Sequence, residues 1–237
     1  MAFTYKGITS RDMHLRVENE LELSSTERDI ELIEIPGRDG DLVLDNGRFK
    51  SVVKTFPCIL VPPPKKDVES LVHPIHQWLA CDVGYHDLLL EDDREFVYQG
   101  IIDNPVTTNK ILSHLGKTVI SFRLHPIKYL KTSLIEEPLT NGMTLTNPFG
   151  IEAKPMIRMI GNGNMTLTIG GRELVLQGIA GGCLIDSDTH TIMSLDGRVT
   201  LFERMFSPFP ILKPGNNVIN FPTHIQVFIT PRLGALV

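Results

Sequence analysis

The chain has 237 residues, 42% of them hydrophobic and 22% charged, so it is long enough to bury one large core or two small ones. Its 23 basic and 28 acidic side chains give a formal net charge of −5. This excludes binding to nucleic acid or anionic lipid that is driven by an overall positive charge. No apolar run approaches the ~20 residues that cross a bilayer, and residues 1–12 lack the apolar centre of a signal peptide. We therefore expect a protein made and folded in a cytoplasm, without membrane insertion and with its three cysteines reduced.

A change of composition divides the chain near residue 135. Residues 1–135 carry 16 basic and 20 acidic side chains, whereas residues 136–237 carry 7 and 8. The turn formers Pro138 and Asn141-Gly142 follow immediately. We predict two domains, 1–135 and 136–237, in a mainly β protein.

The first domain begins with strand-like segments. Residues 3–8 and 29–35 alternate apolar and polar side chains, as half-buried strands do. Asn46-Gly47 lies between the apolar run 42–44 and the strand-like run 52–61, which is a strong hairpin signal. These patterns predict a β meander with its tight turn at Asn46-Gly47.

One packed helix is predicted near residues 65–81. Its apolar side chains recur with the spacing of a single helix face. They are Val68, Leu71, Val72, Ile75, Trp78 and Leu79. Pro74 lies inside this stripe and has no backbone donor, so we expect a kink or a broken first segment. Strand-like segments resume at 85–90, 95–102 and 117–130.

The second domain consists of short strand-like segments separated by glycine turns. Asn162-Gly163, Gly170-Gly171 and Asp196-Gly197 supply these turns at a spacing typical of antiparallel sandwiches. No helical periodicity is evident there. We predict a C-terminal antiparallel β-sandwich.

His73 and His76, with Cys81 downstream, carry the imidazole and thiolate groups that zinc prefers. Pro74 distorts the turn that would bring the two imidazoles together, and no fourth ligand has a familiar spacing. We interpret both histidines as exposed helix side chains beside the core stripe.

Asp186, Asp188 and His190 would share one face if their segment were a strand, and could then bind a cation or support acid-base chemistry. Asp and Ser also hydrogen-bond their own backbone in turns, and apolar strands flank this segment. A hairpin turn is the simpler interpretation. The same holds for residues 91–93, where paired carboxylates lie between two apolar strands.

Residues 161–163 and 178–182 are glycine clusters of the kind that can cradle phosphate. That role requires a helix after the cluster, and none is predicted after either one. The sequence also holds no G-x-S-x-G elbow and no H-E-x-x-H motif. We therefore predict no enzymatic activity, no metal and no cofactor.

Several aromatic side chains could form a platform for a sugar or a partner protein. Core packing is the expected role of Trp78 and Phe221. Phe202, Phe206 and Phe209 lie beside Pro208 and Pro210 and are harder to fit into regular strands, so they are candidates for an exposed contact loop.

Six segments of the chain, in the same order, resemble the signature of the distal tail proteins of siphophages, the Dit family. They cover most of the first half and the beginning of the second, and no motif continues beyond about residue 161. The segments are residues 35–42 (IPGRDGDL), 45–50 (DNGRFK), 84–86 (GYH), 122–130 (FRLHPIKYL), 144–148 (TLTNP) and 154–158 (KPMIR).

The resemblance implies a structural protein of the virion, located at the tail tip. Family members join an N-terminal β domain that carries one helix to a C-terminal galectin-like β-sandwich. Their N-terminal domains associate head to tail into a hexameric ring between the tail tube protein and the tail-associated lysin or hub protein. DNA only passes through the central channel, and receptor-binding proteins dock on the hub.

The resemblance also gives a physical role to the loop at residues 36–41. Its two glycines permit unusual backbone angles and its charged residues offer polar contacts, which suits a subunit boundary. An internal hairpin whose glycines serve only its own turn is the alternative. The loop residues are Pro36, Gly37, Arg38, Asp39, Gly40 and Asp41.

The leading hypothesis is a non-enzymatic tail hub that connects the tail tube to the tip and supports host-adsorption proteins. The alternative is a carbohydrate-binding module in which Phe202, Phe206 or Phe209 stacks on a host glycan. The sole tryptophan, Trp78, belongs to the other domain, so galectin-type stacking on tryptophan is not expected in the sandwich.

Overall fold

The computed structural model describes residues 1–18, 25–103 and 107–237, and it divides into two compact units. Unit 1 is Met1–Lys128 together with Leu236–Val237, and unit 2 is Tyr129–Ala235. The division lies close to the change of composition near residue 135. The last two residues belong to unit 1, where the Val237 amide donates to the carbonyl of Pro126 at 3.0 Å.

Unit 1 consists of β-strands and one α-helix, α1 (Val68–Ala80). The strands are β1 (Phe3–Tyr5), β2 (Ile8–Thr9), β3 (Leu15–Val17), β4 (Arg28–Ile33), β5 (Leu42–Phe49), β6 (Val52–Leu60), β7 (His86–Leu90), β8 (Phe96–Ile102), β9 (Thr107–Leu112) and β10 (Leu115–Leu124). A further strand, β11 (Ile127–Leu130), crosses the division between the units.

The main sheet of unit 1 is antiparallel, with strand order β2-β1-β7-β8-β10-β6-β3 and β9 added to β10. β6 and β10 pair along their length and place Phe56 opposite Ile120. Alternate residues of these strands point into one core, where Phe56 and Phe122 are fully buried beside Phe3. The period-2 pattern of the sequence therefore predicts this sheet correctly.

Helix α1 packs its apolar stripe onto this core, and Val68, Leu71, Ile75, Trp78 and Leu79 are buried. The Trp78 indole donates to the carbonyl of Tyr5 at 2.9 Å. The expected break at Pro74 is wrong, since the helix is continuous through it. Pro74 is exposed, and so is Ser70, the residue four positions earlier whose carbonyl has no amide donor at Pro74.

The predicted turn at Asn46-Gly47 is wrong. β4 and β5 form a separate two-stranded sheet, and Asn46-Gly47 lies inside β5, where the ladder register shifts. The Gly47 amide donates to Asp45 Oδ1 at 2.8 Å, and Gly47 adopts φ +72°, so the pair forms a β-bulge. The chain reverses at residues 34–41 instead.

Unit 2 is an antiparallel sandwich of two sheets, with strand orders β12-β20-β14-β17-β18 and β13-β19-β15-β16. The strands are β12 (Glu137–Pro138), β13 (Thr144–Asn147), β14 (Met156–Ile160), β15 (Gly163–Ile169), β16 (Arg172–Ile179), β17 (Gly182–Asp186), β18 (Thr191–Ser194), β19 (Gly215–Asn220) and β20 (Gln226–Thr230). The last strand, β21 (Gly234–Leu236), belongs to neither of these sheets and crosses the division between the units.

One apolar core lies between these two sheets and contains Ile157, Met159, Leu167, Ile185 and Ile229. The described residues of unit 2 form no α-helix, only the short 3-10 turns Lys131–Leu134 and Phe202–Arg204. The predicted fold class, mainly β with one helix and a C-terminal sandwich, is confirmed.

Candidate assembly interface

The hairpin formed by β4 and β5 carries the largest run of exposed apolar side chains among the described residues. Six of them are each between 40% and 59% exposed. They are Ile30, Leu32, Ile33, Leu42, Val43 and Leu44. Monomeric proteins rarely leave so large an apolar surface uncovered, and a two-stranded hairpin alone is only marginally stable in water. The hairpin is therefore the strongest candidate for a protein interface.

The alternation in residues 29–35 predicts a half-buried strand. The strand is confirmed as β4, but the expected burial of its apolar side chains is wrong within the chain itself. Ile30 and Leu32 pack on no core of either unit. The missed signal is the adjacency of apolar residues, since Leu32-Ile33 and the run 42–44 break strict alternation. Such a break makes both faces of a strand apolar.

The loop at residues 36–41 is the tip of this hairpin, and each of its residues is exposed. Gly37 and Gly40 adopt φ +81° and +75°, in the left-handed region that favours glycine. The Arg38 amide donates to the Ile35 carbonyl at 3.1 Å and closes the turn. The structure thus places the suspected inter-subunit loop at the end of an exposed apolar arm.

Charged residues at the base of the hairpin are paired with one another. Arg28 Nη2 lies 2.6 Å from Asp45 Oδ2, and Arg48 Nε lies 2.6 Å from Asp29 Oδ2. The hydrogen bond from Arg48 holds the pKa of Asp29 below its ordinary value, and that from Arg28 does the same for Asp45. Both carboxylates are therefore already neutralised within the arm.

The two helix histidines, His73 and His76, are exposed on α1, as is Cys81 at its C-terminal cap. No group of three or more His, Cys, Asp or Glu side chains among the described residues is arranged to hold a metal ion. The other two thiols, Cys58 and Cys183, are buried, and burial raises the pKa of each to about 12.

The segment from Asp186 to His190 is the predicted hairpin turn, between β17 and β18. Asp186 Oδ1 accepts hydrogen bonds from the amides of Asp188 and Thr189. Its carboxylate also accepts hydrogen bonds from the two terminal nitrogens of the Arg232 guanidinium, at 2.7 and 3.0 Å. The turn prediction is confirmed, and the ion pair with Arg232 anchors it to the end of the sandwich.

This ion pair makes unit 2 sensitive to acid. Burial would raise the pKa of Asp186, but the hydrogen bonds from Arg232 and Asp188 outweigh it and hold the pKa below its ordinary value. A carboxyl group with a depressed folded-state pKa stabilises the fold above its unfolded pKa, and the contribution is lost as pH falls through the folded pKa.

We expect Asp186→Asn to lower the stability of unit 2 at pH 7 by about 2 kcal/mol, because Arg232 is left without its carboxylate. We also expect the variant to lose less stability than wild type between pH 7 and pH 3. Chemical unfolding followed by circular dichroism at both pH values measures this. If the variant and wild type lost the same stability between pH 7 and pH 3, the acid sensitivity would not come from the Asp186–Arg232 pair.

Two of the three acidic residues in the 91–93 turn, Glu91 and Asp93, form hydrogen bonds within unit 1. The Glu91 carboxylate accepts both hydrogen bonds from Arg11 Nη2, at 2.8 and 2.7 Å. Asp93 Oδ2 accepts from Lys128 Nζ at 2.7 Å and from the Tyr98 hydroxyl at 2.5 Å. These hydrogen bonds hold the turn in place, as the turn interpretation predicts.

Two of the three candidate phenylalanines are exposed, Phe202 by 50% and Phe206 by 61%. Phe209 packs against the core of unit 2, with its ring 5.1 Å from that of His190 and 6.3 Å from that of Phe202. The structure therefore brings the rings of Phe202 and Phe209 together. It leaves the rings of Phe202 and Phe206 exposed to solvent. Trp78 lies in the core of unit 1, as predicted.

Among the described residues, no helix is long and apolar enough to span a membrane. The glycine clusters 161–163 and 178–182 each lead into a strand, β15 and β17. Neither has the strand-to-helix geometry of a phosphate cradle.

No protein-family model matches the sequence, and no curated protein matches it either. Among solved structures, the crystal structure of SPP1 Dit matches with a TM-score of 0.74 and 16% sequence identity, over 96% of this chain and 97% of that chain. The chain has the fold of a Dit protein. The family resemblance of the sequence motifs is thus confirmed at the level of the fold.

Two structures of the phage P2 baseplate in its activated conformation, with Ca and with Sr, also match. Each is 10% identical in sequence and covers 91% of this chain and 90% of that chain, with TM-scores of 0.46 and 0.49. SPP1 Dit is a paradigm of the hub adsorption apparatus of phages that infect Gram-positive bacteria.

Proposed function

We propose that this chain is a distal tail hub protein of a long-tailed phage, a structural and non-enzymatic component of the virion. The observation that carries the proposal is the match to the SPP1 Dit structure over 96% of this chain and 97% of that chain, which includes both units. The six ordered sequence motifs support it independently. The proposed host is Gram-positive, as for the phages to which SPP1 Dit relates.

The proposed mechanism is assembly. The exposed arm of one copy binds a different surface of the next copy, so contacts run head to tail and close into a six-membered ring around a channel. The apolar side chains of β4 and β5 support this step, since burying each removes its exposed area from water. Unit 1 would form the ring, and unit 2, the galectin-like domain, would project from it.

The proposed ring joins the tail tube protein on one side to the tail-associated lysin or hub protein on the other. It also serves as the platform for receptor-binding proteins, and DNA only passes through its channel. The net charge of −5 suits this passage, because a strongly basic wall would retain the phosphate backbone. Assembly of the virion would take place in the host cytoplasm.

Immunogold labelling of purified virions tests this function. An antibody against the chain should place gold at the distal end of the tail, where the tube meets the tip. Gold on the head, or along the whole tube, would contradict a hub role. An antibody against the major capsid protein provides the control label.

Carbohydrate binding is the second candidate, and the exposure of Phe202 and Phe206 on unit 2 favours it. Aromatic faces stack on the apolar faces of sugars. If the candidate holds, Phe206→Ala should weaken binding to host-wall glycans at least about tenfold, the loss of roughly 1.4 kcal/mol. Val199→Ala is the matched control, because Val199 is also exposed but offers no ring.

Binding of these variants is measured on a glycan array printed with wall polysaccharides of the host. Equal binding by wild type and Phe206→Ala would exclude stacking at this ring. No binding by wild type would exclude carbohydrate binding as a function of the chain, and the hub proposal would be unaffected.

A further inference from the structure

The chain contains two Asp-Gly pairs, Asp39-Gly40 in the loop at residues 36–41 and Asp196-Gly197 after β18. In such a pair the backbone nitrogen of glycine can attack the side-chain carboxyl carbon of the preceding aspartate, because glycine has no side chain to obstruct the approach. The attack requires that both groups are free to move from their positions in the fold. Since the two pairs have the same covalent chemistry, the hydrogen bonds around them decide which one reacts.

Both reacting groups of Asp196-Gly197 are held by hydrogen bonds. The Gly197 amide donates to the carbonyl of Ser194 at 2.8 Å. The Asp196 carboxylate accepts hydrogen bonds from the Ser194 hydroxyl and from the Arg198 amide, and these bonds hold the pKa of Asp196 below its ordinary value. A carboxyl group must be protonated for its oxygen to leave as water, so Asp196 is kept in the unreactive form.

Asp39-Gly40 lacks these restraints. Among the described residues, neither the Asp39 carboxylate nor the Gly40 amide takes part in a hydrogen bond or an ion pair. Both residues are exposed, and a Cβ added at Gly40 would meet nothing within 4 Å, so the space around the pair is open. The hydrogen bond that closes the turn, from the Arg38 amide to the Ile35 carbonyl, precedes the pair and leaves both of its groups free.

We propose that Asp39 is a site of spontaneous covalent modification, at which aspartate converts to isoaspartate. The Gly40 nitrogen forms a bond to Cγ of Asp39, and the hydroxyl of the protonated carboxyl group leaves with the amide proton as water. The product is a cyclic succinimide. A water molecule then opens the ring at either of its two carbonyls, which restores aspartate or leaves the main chain running through Cγ. No group is oxidised or reduced.

The modification changes the loop and not the cores. Isoaspartate adds one methylene group to the main chain and places the free carboxylate on Cα of residue 39. The arm formed by β4 and β5 contributes no side chain to either core, so both units should stay folded. The inference does not depend on the proposed ring, because both reacting groups belong to the same chain.

Peptide mapping of aged protein tests the site. The full chain is kept dilute at physiological temperature and digested at lysine, which releases Asp39 within residues 7–50 and places Asp196 on a different peptide. Mass spectrometry with fragmentation that distinguishes the two isomers then measures each site. Isoaspartate should accumulate at least about tenfold faster at Asp39 than at Asp196, because Asp196-Gly197 must first lose its hydrogen bonds. Equal rates at the two sites in the folded chain would overturn the inference.

The same measurement in urea separates the effect of structure from that of local sequence. Unfolding removes the hydrogen bonds of Asp196-Gly197, so the two sites should react at similar rates. A difference that persists in the unfolded chain would show that neighbouring residues decide the rate, and it would also overturn the inference.

Asp39→Glu is the matched variant, since the longer side chain keeps the charge but does not readily form the succinimide ring. Residues 7–50 of this variant should age without isoaspartate, and the fluorescence of the sole tryptophan, Trp78, verifies that unit 1 remains folded. Isoaspartate that still accumulates in this peptide would place the reaction at another residue and contradict the assignment to Asp39.

Discussion

Removal of the arm is expected to abolish ring formation and to leave both units folded. The variant replaces residues 31–44 by Asn-Gly, which keeps the cross-strand pairs Arg28 with Phe49 and Ile30 with Asp45. β4 and β5 form a sheet of their own and contribute no side chain to either core. The free energy of unfolding should therefore stay within about 0.5 kcal/mol of wild type, as for other surface changes.

Analytical ultracentrifugation across a wide concentration range measures this result. The variant should sediment as a monomer of slightly less than the 26.5 kDa of the full chain. A matched control replaces exposed Val53 by Ser, on β6 outside the arm, and should retain assembly. A ring formed by the arm-less variant would contradict the role of the arm.

Among glycine-to-alanine substitutions in unit 2, Gly182→Ala is expected to produce the largest loss of stability. Gly182 begins β17 with φ +136°, and an added Cβ would lie 2.3 Å from the carbonyl oxygen of Met159 and 3.1 Å from Cα of Ile160. Both contacts are with the backbone of the paired strand β14, which cannot move without breaking the ladder. The cost should be on the order of 3 kcal/mol or more.

Gly181→Ala is the matched control for this effect. Gly181 also has a positive φ, +80°, but an added Cβ would meet nothing within 4 Å. Backbone strain alone should cost about 1 kcal/mol. Urea unfolding followed by circular dichroism separates the two, and Trp78 fluorescence should report an unchanged unit 1 for both variants. Equal losses for both would show that the close approach to Met159 has no effect.

Local periodicity predicts the helix and the sheets because both depend on which side chains face a core. The stripe that includes Ile75 and Trp78 needs no knowledge of distant residues, and its prediction is confirmed. The continuity of α1 through Pro74 depends on which face is solvated, and that follows only from the packing of the helix on unit 1.

The Asn46-Gly47 pair shows where local signals fail. The same backbone preference for positive φ serves a two-residue turn and a β-bulge, and the ladder between β4 and β5 decides between them. Likewise, Asp186 pairs with Arg232, which lies far along the chain, and no local sequence pattern predicts this ion pair. The turn is predictable, whereas its anchor is not.

The candidate interface was predictable in part. The motif at residues 36–41 locates the tip of the arm, because its glycines and charges are visible in the sequence. The exposure of the apolar strand residues next to this tip could not be predicted from the sequence. Residues such as Leu32 and Val43 have the pattern of core positions, and only the structure shows that they are exposed.

Electron microscopy of the purified full-length chain at high concentration tests the central claim most directly. The account predicts six-fold rings with a central channel, in which unit 1 forms the ring and unit 2 projects outward. A chain that remains monomeric at every concentration, or that closes into rings through unit 2, would contradict it.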